Sequence, residues 1–245
     1  MSIDMDRRQF LGTVCATVAG SCMPSFGTTE KSEFDKCKED ILYFVDNYLA
    51  VNDTLNGKLK MTPQQREYLK RISTAPDYFF CAKGRQVGIS TANNVFAYWK
   101  SIFFGPDHHV YIVEHNKMMC EDAEKMYGNI SNSGEFLPTL NQVHFIVPSR
   151  LRGLDLKYRN NTLILDEFAF WSHYSMDTHL MSELEHNLMR DFLVNGIPDR
   201  YQKYDCNFIV HSTLNDPCDI FTYLVRHSTK GNSLVLPSKL TGFQS

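Results

Sequence analysis

The sequence has no Cys-x-x-Cys pair. Its seven cysteines, at positions 15, 22, 37, 81, 120, 206 and 218, are dispersed, which argues against a zinc ribbon or a dithiol redox site and for reduced, structural thiols. It has no basic excess: 25 Lys and Arg against 28 Asp and Glu give a net charge of -3. Any nucleic acid must therefore be held by a local patch or by partner subunits. No stretch approaches the roughly 20 apolar residues that span a bilayer, and there is no internal repeat or low-complexity tract. The nine histidines are scattered. His108-His109 reads as a strand-entry turn, because no second metal ligand stands at a suitable spacing.

What is present is a core. With 245 residues and 43% hydrophobic content, the chain can fold as one large α/β domain or two small ones. Residues 34–48 place Cys37, Ile41, Phe44, Val45 and Tyr48 on one helical face. A turn at Asn56-Gly57 is followed by Thr62-Pro63 as N-cap and first residue of a helix to about Ile72. "DYFFCA" reads as a strand ending in a glycine-containing loop, and "STANNVFAYWKSIFF" as the helix after it. "HVYIVEH", "QVHFIVPS", "NTLILDEFAFW" and "CNFIVHSTLN" read as further strands, with a helix over "NKMMCEDAEKMYGNI" and a partial strand in the last fifteen residues. Apolar strands alternating with helices imply a mainly parallel sheet sandwiched by helices. Ligands of such sheets bind beyond the carboxyl ends of the strands, where the unusual residues fall.

The first of these is "CAKGRQVGIST", residues 81–91. In the common phosphate loop, G-x-x-x-x-G-K-[ST], a lysine follows the last glycine; here Ile89 occupies that slot and Lys83 stands at the other end. Because such a loop curls around an anion with its backbone N–H groups inward, a lysine at either end can approach the same oxygens. Lys83 and Arg85 would then supply charge, Gly88 close approach and Ser90 a hydroxyl for Mg²⁺. The second is Asp166-Glu167 at the end of "TLILDEFAF", which fits an Asp that holds Mg²⁺ and a Glu that activates the attacking water. Both motifs in this order, each after a buried strand and with another strand between, specify a P-loop NTPase of the additional-strand, catalytic-glutamate type. The cofactors this reading expects are ATP and Mg²⁺.

These motifs resemble those of the large terminase subunit of tailed bacteriophages, the DNA-packaging motor, over its N-terminal ATPase domain and about residues 34–225 of this chain. "KGRQVGIS" matches the family's K-x-R-Q-x-G-x-S loop, "LDEFAFW" its acidic motif, and "STLN" its coupling motif with Leu214 in place of proline. The resemblance implies nucleotide contacts from Lys83, Gly84, Arg85, Gln86, Gly88, Ser90 and Thr91, and adenine reading by Gln65. Its catalytic residues would be Glu167, Lys83 and Arg85, its magnesium ligands Ser90 and Asp166, and its coupling residues Ser212, Thr213 and Asn215. Arg152, in "SRLRGLD", is a weaker nucleotide or DNA candidate. Implied partners are double-stranded DNA, a viral portal protein, a small terminase subunit and further copies of the chain in a ring on the portal. The family's nuclease domain has no room here, so DNA cutting is not expected of this polypeptide and a separately encoded nuclease is a further partner.

The expected organisation is an N-terminal arm over 1–32, an ATPase domain over 33–230 and a tail over 231–245. Within the arm, Arg7-Arg8 followed by Phe10-Leu11 resembles a twin-arginine export signal. An ATPase has no use for a compartment without ATP, so the arm is not read as a working signal and the host cytoplasm is the expected location. Two alternatives stand beside packaging: a helicase-like or remodelling ATPase of the same fold, and a nucleotide-binding remnant without turnover.

Overall fold

The computed structural model describes residues 31–49, 60–75, 78–134, 136, 138, 142–153, 161–169, 206–213, 220–228 and 231–236. Contacts divide the chain into Met1–Ser32 and Glu33–Ser245, and every described helix and strand lies in the second unit.

Six strands form one sheet: β1 (Tyr78–Lys83), β2 (Val110–Val113), β3 (Val143–Ile146), β4 (Thr162–Leu165), β5 (Asn207–Thr213) and β6 (Ser233–Leu236). Their order across the sheet is β3-β2-β4-β5-β1-β6, and every pairing is parallel. Two strands, β2 and β3, separate the glycine loop from the acids along the chain. In the sheet a single strand separates them, and it is β5, the next strand after the acids. The strand expected near the C-terminus is β6, which pairs with β1, so the sheet continues past residue 230 to Leu236.

The helices are α1 (Glu33–Glu39), α2 (Ile41–Tyr48), α3 (Pro63–Ser73), α4 (Ile89–Phe103), α5 (Lys117–Ser133) and α6 (Ile220–His227), with a 3₁₀ turn over Pro148–Gly153. The single helix expected over 34–48 is broken at Asp40. Its backbone is extended there (φ -131°, ψ 104°), and its carboxylate accepts from the N–H groups of Leu42 and Tyr43, so an N-cap restarts the helix. α3 begins with a capping box: Thr62 Oγ1 accepts from Gln65 N–H, and Gln65 Oε1 accepts from Thr62 N–H.

Period-two alternation sorts the strand residues onto two faces. Phe79, Cys81, Val110, Ile112, Ile164 and Ile209 pack with residues of α1 to α5, while Phe80, Ala82, Tyr111, Val113, Leu163, Leu165, Phe208 and Val210 pack with Phe221, Leu224 and Val225 of α6. α4 is the central helix, with twelve of its fifteen residues buried, the polar Asn93, Asn94, Lys100 and Ser101 among them. Trp99 Nε1 donates to the Cys37 carbonyl at 2.7 Å and ties α4 to α1. This rigid mounting holds the N-terminus of α4 over the carboxyl edge of the sheet.

Candidate active site

The loop between β1 and α4 takes its shape from two backbone positions. Gly88 is left-handed (φ 78°) and caps α4 without any side-chain bond to the first turn, so the α4 N–H groups and the positive end of its dipole stay available to an anion. A Cβ at Gly88 would stand 2.5 Å from Gln65 Nε2. The second position is Gln86, also left-handed (φ 60°) and, like Arg85, exposed. Gln65, expected to read adenine, is almost fully buried and spends its amide on the loop: Nε2 donates to the Gly88 carbonyl at 2.9 Å while Oε1 completes the capping box. A base contact would use the second Nε2 hydrogen or the second Oε1 lone pair. Ile89, in the slot of the usual lysine, is a core residue at 1% exposure.

Lys83 leaves the end of β1 and meets both acids. Its Nζ lies 2.5 Å from Glu167 Oε1 and 3.9 Å from Asp166 Oδ1. Burial alone would lower its pKa, but the charges of Asp166 and Glu167 outweigh that and raise it, so the amine is firmly cationic. Ser90, in the first turn of α4, donates to Asp166 Oδ2 at 3.1 Å. Glu167 is left-handed (φ 47°), a conformation a non-glycine residue holds at a cost of about 1 kcal/mol or more. That turn sends its carboxylate toward β5, where Oε2 accepts from Thr213 N–H at 3.1 Å and from Ser212 Oγ at 3.3 Å. Lys83, Ser90, Asp166, Glu167, Ser212 and Thr213 therefore form one connected cluster. Gly84 flanks it on the loop and Thr91 in the first turn of α4, while Leu214 and Asn215 lie outside the described residues. Arg152 has its backbone in the 3₁₀ turn; its side chain lies outside them.

Four residues that sequence reasoning passed over complete the cluster. Extending the β4–β5 register by one residue sets His211 opposite Asp166, and His211 Nδ1 lies 3.1 Å from Asp166 Oδ1. Behind it, Asn93 joins His211 Nε2 at 2.7 Å, and Tyr68 donates its hydroxyl to Asn93 Oδ1 at 2.8 Å. With Oδ1 taken, the Asn93 amide must donate to Nε2, which leaves the ring proton on Nδ1 facing Asp166. Burial works to raise the Asp166 pKa, but His211, Lys83 and Ser90 hold it well below the usual carboxylate range. On the other side of Asp166, at the end of β2, stands Glu114. It is 2% exposed, and burial together with the facing Asp166 charge pushes it up to about 9. The hints in the sequence were a charge ending "HVYIVE" and a histidine inside the apolar run "NFIVHS". Among the described residues no group of three or more His, Cys, Asp or Glu converges as a ready metal cage. A carboxylate with a neighbouring serine hydroxyl is nevertheless a hard-oxygen donor set of the kind Mg²⁺ takes while keeping most of its waters.

Phosphate-ready loop, strand-end acids and the inserted β5 together define the fold as a P-loop NTPase of the additional-strand type. No protein-family model and no curated protein matches the chain. Solved structures do. The large terminase ATPase domain of Thermus phage P74-26 aligns at 13% identity over 74% of this chain and 86% of its own, with a TM-score of 0.43. A DEAD box protein from Methanococcus jannaschii aligns at 13% identity over 78% and 56%, again at 0.43. The UvsW helicase of bacteriophage T4 aligns at 10% identity over 85% and 70%, with a TM-score of 0.50. The UvsW match, at 10% identity, is a likeness of fold alone. No helix among the described residues is long and apolar enough to cross a membrane.

Proposed function

We propose that the chain is a Mg²⁺-dependent ATPase, and that its work is to drive double-stranded DNA into a viral procapsid as the motor subunit of a terminase. The observation that carries the ATPase reading is the meeting of Lys83, Ser90, Asp166 and Glu167 beneath the uncapped start of α4. In this reading Lys83, Arg85 and the backbone from Gly84 to Thr91 bind the phosphates, and Gln65 holds the loop and meets the base. Ser90 and Asp166 hold Mg²⁺, which when bound would neutralise phosphate charge and orient the leaving group. Glu167 orients the water and takes its proton.

The resting geometry supports a coupling role for β5. Glu167 is bound at once to Lys83 and to Thr213 N–H. Phosphate that draws Lys83 away frees one carboxylate oxygen for water while the other still pulls on the end of β5. Ser212, Thr213 and Asn215 would carry that change into the chain beyond the strand. The packaging reading rests on the sequence motifs, and with it come the portal, the small subunit and the ring.

The deciding experiment measures phosphate release by the purified chain with Mg²⁺-ATP, alone, with duplex DNA, and with portal complexes. Turnover that rises with portal and DNA together supports packaging. Stimulation by DNA with no response to portal would indicate a remodelling ATPase, and no turnover in any mixture would leave a nucleotide-binding remnant.

A further inference from the structure

Glu114 has no part in the reading above, yet it stands in its midst. Extending the β2–β4 register by one residue sets it beside Asp166, and alternation puts both on the face that carries α4. Its side chain is 98% inaccessible, and Oε2 is buried with no hydrogen-bond partner. Asn94, one helical turn after Ser90 and so on the same side of α4, is 1% exposed, donates Nδ2 to the Ser90 carbonyl and likewise leaves Oδ1 buried without a partner. Two orphaned acceptors beside the Ser90–Asp166 pair are costly in a protein interior unless something positive or hydrogen-donating meets them. Lys83 is directed to Glu167 on the other side of Asp166. Nothing else cationic among the described residues is paired with Glu114.

We propose that Glu114 supplies a second carboxylate to the cation site begun by Ser90 and Asp166, with Asn94 Oδ1 as an acceptor for a water on that cation. Two carboxyl groups this close in a buried site do not readily both ionise, and a divalent cation between or beside them reverses the sign of that interaction. A hard ion with one or two carboxylates and several waters is the ordinary form of a Mg²⁺ site that shares its ligands with phosphate. The orphaned acceptors are thereby accounted for as ligands to the cation shell. This inference rests on the ATPase reading and deepens it.

The test titrates the full-length chain with Mn²⁺ alone and counts free Mn²⁺ by its electron paramagnetic resonance signal, alongside the Mn²⁺-induced rise in unfolding temperature. Glu114→Gln, which keeps size and shape, is expected to weaken Mn²⁺ binding by about 10-fold or more, the loss typical of disturbing a metal's supporting groups. Glu114→Asp should recover part of it, and Asp166→Asn should weaken binding at least as much as Glu114→Gln. Wild-type affinity in Glu114→Gln with a loss in Asp166→Asn would overturn the role of Glu114 and leave the ATPase site standing. Wild-type affinity in both variants, or no Mn²⁺ binding by the wild-type chain at millimolar concentration, would overturn the cation site altogether.

Discussion

Replacing Glu167 with glutamine is expected to change nucleotide affinity and hydrolysis in opposite directions. In the nucleotide-free chain the 2.5 Å contact with Glu167 occupies Lys83, and ATP must break it to recruit the amine. At an effective dielectric of about 20 the Coulomb attraction at that distance is roughly 6–7 kcal/mol, most of it offset by the desolvation of two largely covered side chains. The net worth of such a charged hydrogen bond is about 1.5–3 kcal/mol. Glutamine keeps a neutral acceptor, so about 1–2 kcal/mol of that competition disappears, and Lys83 still has Asp166 at 3.9 Å to hold it in the site. ATP should therefore bind about 5- to 30-fold more tightly, at 1.4 kcal/mol per factor of ten. Hydrolysis should fall by roughly 100-fold or more through loss of the base. Backbone strain does not confuse the comparison, because glutamine inherits the same left-handed position at little difference in cost. Equilibrium binding of a fluorescent ATP analogue and single-turnover phosphate release read the two effects separately. Weaker binding in the variant would refute the competition between phosphate and Glu167 for Lys83, and near-normal hydrolysis would refute the base.

Three further outcomes follow from the same geometry. Lys83→Ala should abolish most ATP binding or hydrolysis, whereas Ile89→Ala, which removes buried volume at 1% exposure, should lower stability by about 2–4 kcal/mol with little change in turnover per folded chain; the reverse pattern in urea melts and steady-state assays would contradict the relocated lysine. Gly88→Ala should lower both the unfolding temperature and nucleotide affinity, because its Cβ would meet Gln65 Nε2 at 2.5 Å in a left-handed backbone; an unaltered melt would show that the loop relaxes freely. For pH, burial depresses buried His108 from 6.5 to about 3, so between those values the unfolded chain binds a proton that the folded chain does not. Stability should then fall as pH drops below 6.5, by up to about 1.4 kcal/mol per unit from this group. His108→Gln should flatten that acid limb in denaturant titrations, and an unchanged limb would discount His108.

The local parts of this molecule were legible in its sequence. Apolar runs bounded by polar residues marked all six strands; the four central ones, β1, β2, β4 and β5, are buried on both faces, so they need no alternation of polarity and stand out by composition. The glycine loop and the Asp166-Glu167 pair were legible for a similar reason: close approach to an anion and a hard-cation ligand each demand particular residue types at fixed spacing. Even the break at Asp40 was written locally, as a capping residue inside an otherwise continuous apolar face, although periodicity alone read through it. Lateral neighbours were not legible. That β5 lies between β1 and β4 depends on where long crossover connections return to the sheet, and no spacing within either strand encodes it. Only that insertion puts His211 opposite Asp166 and Thr213 within reach of Glu167. Only the β2–β4 pairing turns Glu114 from a charge at the end of a strand into a second carboxyl beside Asp166. Sequence by itself determined the strands, the glycine loop and the strand-end acids proposed for phosphate and metal; the tertiary structure decided which of them meet, since electrostatic partnership is set by distance in space and periodicity records only position along the chain.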